Sequence, residues 1–213
     1  FSIIGHDLRS PISQVYQFLK LQQLNPDALN TEQKNELSNK IQTATGSLLE
    51  TMEDLLLWSK TQMNEFKTSL QTVELIPVVE TCKQLLQLNS DAKNISYQQT
   101  INDGDSAQTD TYFLQTIVRN LLQNAIKASP DNGIINIYTK KRENTIALHI
   151  KNDGATFTQE NYLQTLSSQE NSSSINGIGL RLVDELSKKI NATVTFLMPA
   201  NGGTLVEINL KIV

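Results

Sequence analysis

A histidine and an aspartate stand side by side near the start of the chain, in the stretch FSIIGHDLRSPI. In a helix, where each residue turns by about 100°, His6 points away from Ile4 and Leu8, so the apolar side chains would face inward and the imidazole outward. Asp7 can accept a hydrogen bond from an imidazole and make it a better nucleophile. Exposed histidines without a chemical role are also common, so this pair alone leaves both interpretations open.

Ser10 and Pro11 follow the histidine within little more than one turn. Ser10 shares the helix face of His6, because residues four apart are neighbours on a helix. Pro11 has no N–H and cannot bond to the carbonyl of Asp7, which predicts a bend in the helix just after the histidine. The stretch therefore predicts an exposed imidazole with a hydroxyl beside it.

Two asparagines and a lysine share a face of the helix predicted in TYFLQTIVRNLLQNAIKAS, which Asp110 is expected to cap. Asn120 and Asn124 are four residues apart, and Lys127 lies about one turn further. These groups suit a phosphate chain carrying Mg2+, which takes a few protein oxygens and completes its octahedron with phosphates and water. An ordinary polar helix face is the alternative, although asparagine is a poor residue for a helix interior.

Two further sets of small residues lie at the ends of predicted elements. Asn152 and Gly154 follow an alternating strand in HIKNDGATF, whereas Gly177 and Gly179 precede an apolar helix that is predicted to begin near Leu180. Glycines before a helix allow a phosphate to approach its free N–H groups. Asparagine and glycine are also the usual residues of ordinary turns, so neither set is specific by itself.

The composition is that of a globular protein with a small acidic excess. A formal net charge of −4 argues against nucleic acid as the main partner. Cys82 is the single cysteine, which excludes an intrachain disulfide and suits a reducing compartment. No apolar stretch is long enough to span a bilayer. Because the sequence starts at Phe1 inside a predicted helix, we expect a cytoplasmic piece of a longer protein, with membrane contact only through other segments.

The chain divides into two halves near residue 67. Apolar residues recur at three-and-four spacing over residues 1–67, and NPDALNTEQ interrupts them, which predicts a helical hairpin with Asn30 or Thr31 capping its second helix. Two helices bury little surface, so we expect a homodimer that forms a four-helix bundle. Residues 68–213 alternate strands with helices, including a strand in TSLQTVEL and one helix in IPVVETCKQLLQLNSDA, which predicts a two-layer α/β sandwich.

In their order and spacing, these segments resemble those of sensor histidine kinases. FSIIGHDLRSPI resembles the H box of that family, NLLQNAIK the N box, HIKNDGATF the G1 box and NGIGLRLVDEL the G2 box, and the resemblance covers almost the whole chain. The Ser- and Asn-rich patch LSSQENSSSING stands where the family has a lid over the nucleotide. Asn152 replaces the usual aspartate that binds the adenine amino group, and Thr156 and Ile175 replace glycines.

The resemblance implies two domains: residues 1–67 for dimerisation and histidine phosphotransfer, and residues 68–213 for ATP binding. It implies that His6 is phosphorylated from ATP, that Asp7 orients the imidazole, and that the phosphate passes to an aspartate in the receiver domain of a response regulator. By the same resemblance, Ser10 could assist dephosphorylation of that partner. The implied nucleotide-binding residues are Asn120, Asn124 (also the Mg2+ ligand), Lys127, Asn152, Gly154, Gly177, Gly179 and Leu180.

Two alternatives stay open at this point. A gyrase-like ATPase would use a glutamate at the position of Asn120 to activate water, and an asparagine cannot act as that base. A catalytically weak dimeric scaffold would bind nucleotide poorly, and the departures at Asn152, Thr156 and Ile175 are compatible with it.

Overall fold

The computed structural model of the protein describes residues 12–13, 15–21, 30–62, 68–167 and 176–212. In the first half, residues 15–21 form helix α1 and Thr31–Gln62 form the long helix α2. The predicted cap of α2 is confirmed: Asn30 Oδ1 accepts the backbone N–H of Gln33 at 2.8 Å, and Gln33 Oε1 accepts the N–H of Asn30 at 3.0 Å. This reciprocal pair satisfies two N–H groups at the helix start.

The second half alternates strands and helices, as the sequence predicts. Its elements are β1 (Gln71–Glu74), α3 (Leu75–Leu85), α4 (Gln87–Asp91), β2 (Ser96–Thr100), β3 (Ser106–Thr109), α5 (Thr111–Ala128), β4 (Ile134–Lys141), β5 (Thr145–Asn152), α6 (Gln159–Ser167), α7 (Asn176–Lys189), β6 (Thr193–Leu197) and β7 (Thr204–Lys211).

A mixed five-stranded sheet organises this half, with the order β2-β4-β5-β7-β6. β2 pairs with β4 in parallel, the other neighbours are antiparallel, and β1 pairs with β3 in a separate two-stranded sheet. Alternate side chains of β4 and β7 are buried, including Ile135, Ile137 and Ile208, whereas β5 is buried on both faces over Ile146–Ile150. This period of two places one face of the sheet in the core, where α5 and α7 pack against it.

Helix α5 is fixed at both of its ends. The Asp110 carboxylate accepts the N–H groups of Tyr112 and Phe113 at 3.0 and 3.1 Å, which confirms the predicted cap. At the other end, Lys93 Nζ donates to the carbonyls of Ile126, Lys127 and Ser129. A cation there satisfies free carbonyls and opposes the helix dipole, so the residues near the end of α5 are held in place.

Some element boundaries differ from the sequence-based expectation. The strand expected in TSLQTVEL is limited to β1, because Leu75 already begins α3. One helix was expected in IPVVETCKQLLQLNSDA, but the structure has two, α3 and α4. The chain turns between them at Leu86, whose side chain is fully buried. β3 and α6 were not predicted, and α7 begins at Asn176 rather than near Leu180.

Helix α2 also contacts the second half of the chain, because it packs against α7. Leu57 of α2 is 5% exposed and belongs to the same apolar cluster as the sheet and its helices. None of the helices in the described parts of the chain has a stretch that is long and apolar enough to cross a membrane.

Candidate functional site

A cavity of about 310 Å³ opens between α5, the ends of β5 and β7, and the first turns of α7. This volume lies within the usual range of small-ligand pockets. The residues that line it are Leu121, Asn124, Ala125, Lys127, Ala128, Asn152, Ala155, Thr156, Phe157, Leu180, Phe196, Thr204 and Val206. Most are apolar, so the cavity suits a flat apolar group that carries a few polar atoms.

Gly154 brings the loop after β5 directly against the end of α5. A Cβ at Gly154 would lie 1.8 Å from the carbonyl oxygen of Ala128, so no side chain fits there. The same carbonyl accepts the N–H of Ala155 at 3.2 Å. The glycine therefore does not line the cavity itself, but it sets the position of the loop residues that do.

Thr204 fixes the other side of this loop. Its hydroxyl donates to the carbonyl of Ala155 at 3.0 Å and accepts the N–H of Phe157 at 2.8 Å. Thr204 is the first residue of β7 and stands opposite Asn152 in the β5–β7 register. The loop is thus tied to both α5 and β7 before any ligand enters.

Asn120 joins α5 to α7 rather than lining the cavity. Its side chain is 4% exposed, and its Nδ2 donates to the carbonyl of Thr116 at 3.0 Å. A Cβ at Gly179 would lie 2.5 Å from Asn120 Oδ1, so the glycine allows the start of α7 to approach this side chain. We therefore assign Asn120 and Gly179 to the packing that places Leu180 on the cavity wall.

Asn124 and Lys127 bring the polar groups of α5 to the cavity. The Asn124 side chain is half-buried, whereas Lys127 is exposed in the last helical turn. They lie three residues apart and therefore on the same side of the helix. An amide oxygen and a cation at one side of an apolar cavity could hold a ligand that carries both an apolar ring and anionic groups.

Aromatic rings close the cavity on the side of β6. The ring centroid of Phe196 lies 5.1 Å from that of Phe157 and 4.8 Å from that of Tyr162. Burial raises the pKa of the Tyr162 phenol above its ordinary value, and the nearby Asp184 carboxylate raises it further. Tyr162 is therefore neutral at physiological pH and packs behind Phe196, which lines the cavity.

Asn152 places a polar amide among these apolar groups. Its side chain is 3% exposed, and its Nδ2 is a buried atom for which the described part of the chain provides no hydrogen-bond partner. A buried donor without a partner costs roughly 1–3 kcal/mol. Nothing that the structure describes offsets this cost.

The sequence and fold comparisons agree with this geometry. Residues 109–213 match the family described as "Histidine kinase-, DNA gyrase B-, and HSP90-like ATPase". Over 98% of its length, the chain is 22% identical to sensor histidine kinase YvrG of Bacillus subtilis and 24% identical to heme sensor protein HssS of Staphylococcus saprophyticus. Together these matches support a sensor histidine kinase ATP-binding domain over residues 109–213.

Solved structures of histidine kinases share the fold of this chain. Histidine kinase AdeS of Acinetobacter baumannii superposes with a TM-score of 0.69 at 17% identity, over 97% of this chain and 98% of that one. Histidine kinase ThkA, solved in complex with response regulator protein TrrA, gives 0.68 at 17% identity, over 99% of this chain and 60% of that one. The chain spans only 37% of the length of YvrG and 45% of that of HssS.

The residues expected to bind nucleotide separate into two groups in the ATP-binding domain. Asn124, Lys127, Asn152 and Leu180 line the cavity. Three others support it: Asn120 and Gly179 at the contact of α5 and α7, and Gly154 under the loop. Gly177 lies in the first turn of α7.

One expectation about Gly177 and Gly179 is wrong, because they lie inside the first turn of α7 and not before it. The sequence assigned them to a loop since glycine is a poor helix former, whereas here the close contact of Gly179 with Asn120 requires the missing side chain. His6, Asp7 and Ser10 lie outside the described residues, and so do residues 168–175 of the predicted lid patch LSSQENSSSING. The two ends of that patch, residues 166–167 and 176–177, belong to α6 and α7.

No site role was predicted from the sequence for Thr204, Phe157, Phe196 or Val206. Their part in the cavity depends on how the strands pair, which no local pattern reveals. The only sequence signal at Thr204 is the preceding Asn201-Gly202-Gly203 turn, which places a hydroxyl at the first position of the last strand.

Proposed function

We propose that the protein is the catalytic core of a sensor histidine kinase, which phosphorylates His6 from ATP and passes the phosphate to an aspartate of a response regulator. The observation that carries this proposal is the meeting of Asn124, Lys127, Asn152 and Leu180 in one cavity. These residues come from three sequence motifs that are distant along the chain, and each motif was assigned to nucleotide binding independently of the fold.

The cavity would hold the base of ATP in its apolar part. Leu121, Leu180, Phe196 and Val206 supply apolar surface for a purine ring, and Asn152 supplies the amide that can bond to its polar edge. Lys127 would neutralise negative charge on the phosphate chain where this chain extends from the cavity into solvent. A wall of fixed side chains limits the loss of conformational entropy on binding.

The chemistry of Asn124 fits a Mg2+ ion that is bound mainly by the nucleotide. In the described parts of the chain, no group of three His, Cys, Asp or Glu side chains could hold a metal ion by itself. Asn124 would contribute one neutral oxygen, and phosphate oxygens and water would complete the octahedron. When bound, Mg2+ would neutralise the charge that develops on the phosphate oxygens.

Residues 1–67 would provide the phosphate acceptor. A ring nitrogen of His6 forms a bond to the γ-phosphorus while the bond to the β–γ bridging oxygen breaks, so ADP leaves and phosphohistidine remains. Asp7 would accept a hydrogen bond from the other ring nitrogen and hold the imidazole in the required orientation. Ser10 would lie one turn away, where its hydroxyl could orient water to dephosphorylate the response regulator.

Exposed apolar side chains support a homodimer through the first half of the chain. Ile12, Tyr16 and Leu19 are exposed at helical spacing on the first helical segment, and so are Leu49, Met52 and Leu56 on α2. Side chains that are three or four residues apart form a stripe along one helix face. A four-helix bundle of two such hairpins would cover both stripes.

The gyrase-like alternative receives no support from the site. It needs a base at the position of Asn120, and this side chain is an amide that is buried and bonded to the carbonyl of Thr116. The scaffold alternative predicts a cavity that does not bind ATP, so one binding measurement separates it from the kinase.

The decisive experiment is incubation with γ-labelled ATP and Mg2+, followed by a test of the acid lability of the label. The variants are His6→Gln and, as the matched control, His149→Gln, because the chain has two histidines. His149 is 2% exposed and stacks on Tyr138, with a ring centroid distance of 4.5 Å, so it is inaccessible to ATP. Circular dichroism checks that both variants fold.

We expect an acid-labile label on the parent and on His149→Gln, and none on His6→Gln. A label that persists on His6→Gln would overturn the assignment of His6. A parent that binds ATP without becoming labelled would overturn the kinase proposal, and a parent that binds no ATP at millimolar concentration would favour the scaffold. Light scattering on the same samples tests the dimer.

A further inference from the structure

The amide of Asn152 occupies a position from which it can read the polar edge of a bound base. It ends β5 directly opposite Thr204, and both residues line the cavity. The other surroundings are mainly apolar, including Leu180 and Phe196. In such surroundings the Asn152 amide determines which bases bind, because a base whose polar atoms cannot hydrogen-bond to it would be buried with those atoms unpaired.

Nothing in the described part of the chain fixes the orientation of this amide. The Nδ2 of Asn152 is buried and has no hydrogen-bond partner there. The neighbouring Thr204 hydroxyl is already committed, since it donates to Ala155 and accepts from Phe157. A rotation of the amide by half a turn, which exchanges Oδ1 and Nδ2, therefore breaks none of these hydrogen bonds.

We propose that Asn152 recognises purines in either amide orientation, so that the cavity binds 6-oxopurine nucleoside triphosphates as well as ATP. This inference rests on the proposed nucleotide-binding function and extends it to the choice of base. Asn152 acts here as a specificity-determining residue, and it takes no part in the transfer of the phosphate.

The two kinds of purine present opposite hydrogen-bonding patterns on the edge concerned. A 6-aminopurine offers a donor at its amino group and an acceptor at N1, whereas a 6-oxopurine offers an acceptor at O6 and a donor at N1. An asparagine amide carries one acceptor and two donors side by side. The amide atom that faces the cavity can therefore bond to the amino group of the first pattern and, after rotation, to O6 of the second.

A carboxylate at this position would discriminate between the same bases. An ionised aspartate has acceptors only, so the oxygen that bonds to the amino group of a 6-aminopurine would face O6 of a 6-oxopurine in the same position with repulsion. Asparagine removes this repulsive element, and specificity depends on such elements as much as on attraction.

The test is the equilibrium binding of ATP and of inosine triphosphate to the full chain with Mg2+, measured by isothermal titration calorimetry. These ligands share ribose and phosphates and differ at position 6 and N1 of the base. The variants are Asn152→Asp and, as the control, Asn144→Asp in the exposed β4–β5 turn, which makes the same charge change away from the cavity.

We expect dissociation constants for ATP and inosine triphosphate within about threefold of each other in the parent and in Asn144→Asp. In Asn152→Asp we expect ATP to be preferred by about tenfold or more, which corresponds to about 1.4 kcal/mol. If Asn152→Asp fails to fold, the ratio in the parent decides by itself.

A parent that prefers ATP by more than about threefold would overturn the inference, because an amide that serves both bases equally gives similar dissociation constants for both. An unchanged ratio in folded Asn152→Asp would overturn it as well. Both results leave the proposed function intact, since ATP still binds. Failure of both nucleotides to bind at millimolar concentration would instead overturn the proposed function, and the inference with it.

Discussion

Substitution of Gly154 by alanine tests whether the close approach of the β5–α6 loop to α5 determines the site. The new Cβ would lie 1.8 Å from the Ala128 carbonyl oxygen, and ordinary contact begins only at 3.4 Å. Both groups belong to the backbone, so neither can rotate away. Overpacking costs about 1–3 kcal/mol, and loss of the hydrogen bond from Ala155 to Ala128 adds about 1 kcal/mol.

We therefore expect Gly154→Ala to lower the free energy of unfolding by about 2–4 kcal/mol, which is roughly 4–16 °C in melting temperature for a chain of this size. Thermal denaturation followed by circular dichroism measures the shift, and calorimetry should show weaker ATP binding, because Ala155, Thr156 and Phe157 move with the loop. Gly46→Ala in α2 is the matched control, since a Cβ added at this position would have no neighbouring atom within 4 Å. It should leave stability unchanged or raise it by up to about 1 kcal/mol. A Gly154→Ala protein that melts within 1 °C of the parent would refute the reasoning.

Two further predictions concern buried titratable groups. Cys82 is fully buried, and burial raises its pKa to about 12, so iodoacetamide at pH 8 should label the unfolded chain and leave the native chain unlabelled; stoichiometric labelling of the native chain would contradict this. Burial raises the pKa of Glu207, but hydrogen bonds from Asn209 and His149 and the charge of Arg142 outweigh it, so the pKa lies below its ordinary 4.5. The resulting stabilisation is present above pH 4.5 and disappears as pH falls through the lowered pKa, so Glu207→Gln should be about 1–2 kcal/mol less stable in urea at pH 7 and equal to the parent in strong acid. A difference that is constant with pH would count against this assignment.

The elements that the sequence predicted correctly are those with local signals. Asp110 and Asn30 cap their helices through hydrogen bonds that span two or three residues, so the sequence marks both positions directly. β3 has no such signal, since SAQT is polar and becomes a strand only by pairing with β1. The chain turns at Leu86 although its sequence favours a continuous helix, because that side chain is fully buried in the core.

The candidate site also divides into residues that a local pattern predicts and residues that only the tertiary fold brings together. Asn124 and Lys127 could be placed together because helix geometry fixes residues at close spacing. Thr204 and Asn152 are 52 positions apart and become neighbours only through the β5–β7 register. Asn120 was predicted on the same face as Asn124, yet α7 covers it, and no pattern within α5 indicates that cover.

Among the described strands, the parallel pair of the large sheet lies at its edge, and this affects how the sheet forms and fluctuates. The antiparallel pairs β4–β5 and β6–β7 close across short turns, whereas β2 reaches β4 only after the chain has passed through β3 and all of α5. Longer connections cost more conformational entropy to close, so β2 is expected to join the sheet late and to open first in native-state hydrogen exchange. The strands that line the cavity, β5, β7 and β6, stand at the other end of the strand order. Fraying at the β2 edge would therefore expose backbone amides there while the cavity stays closed.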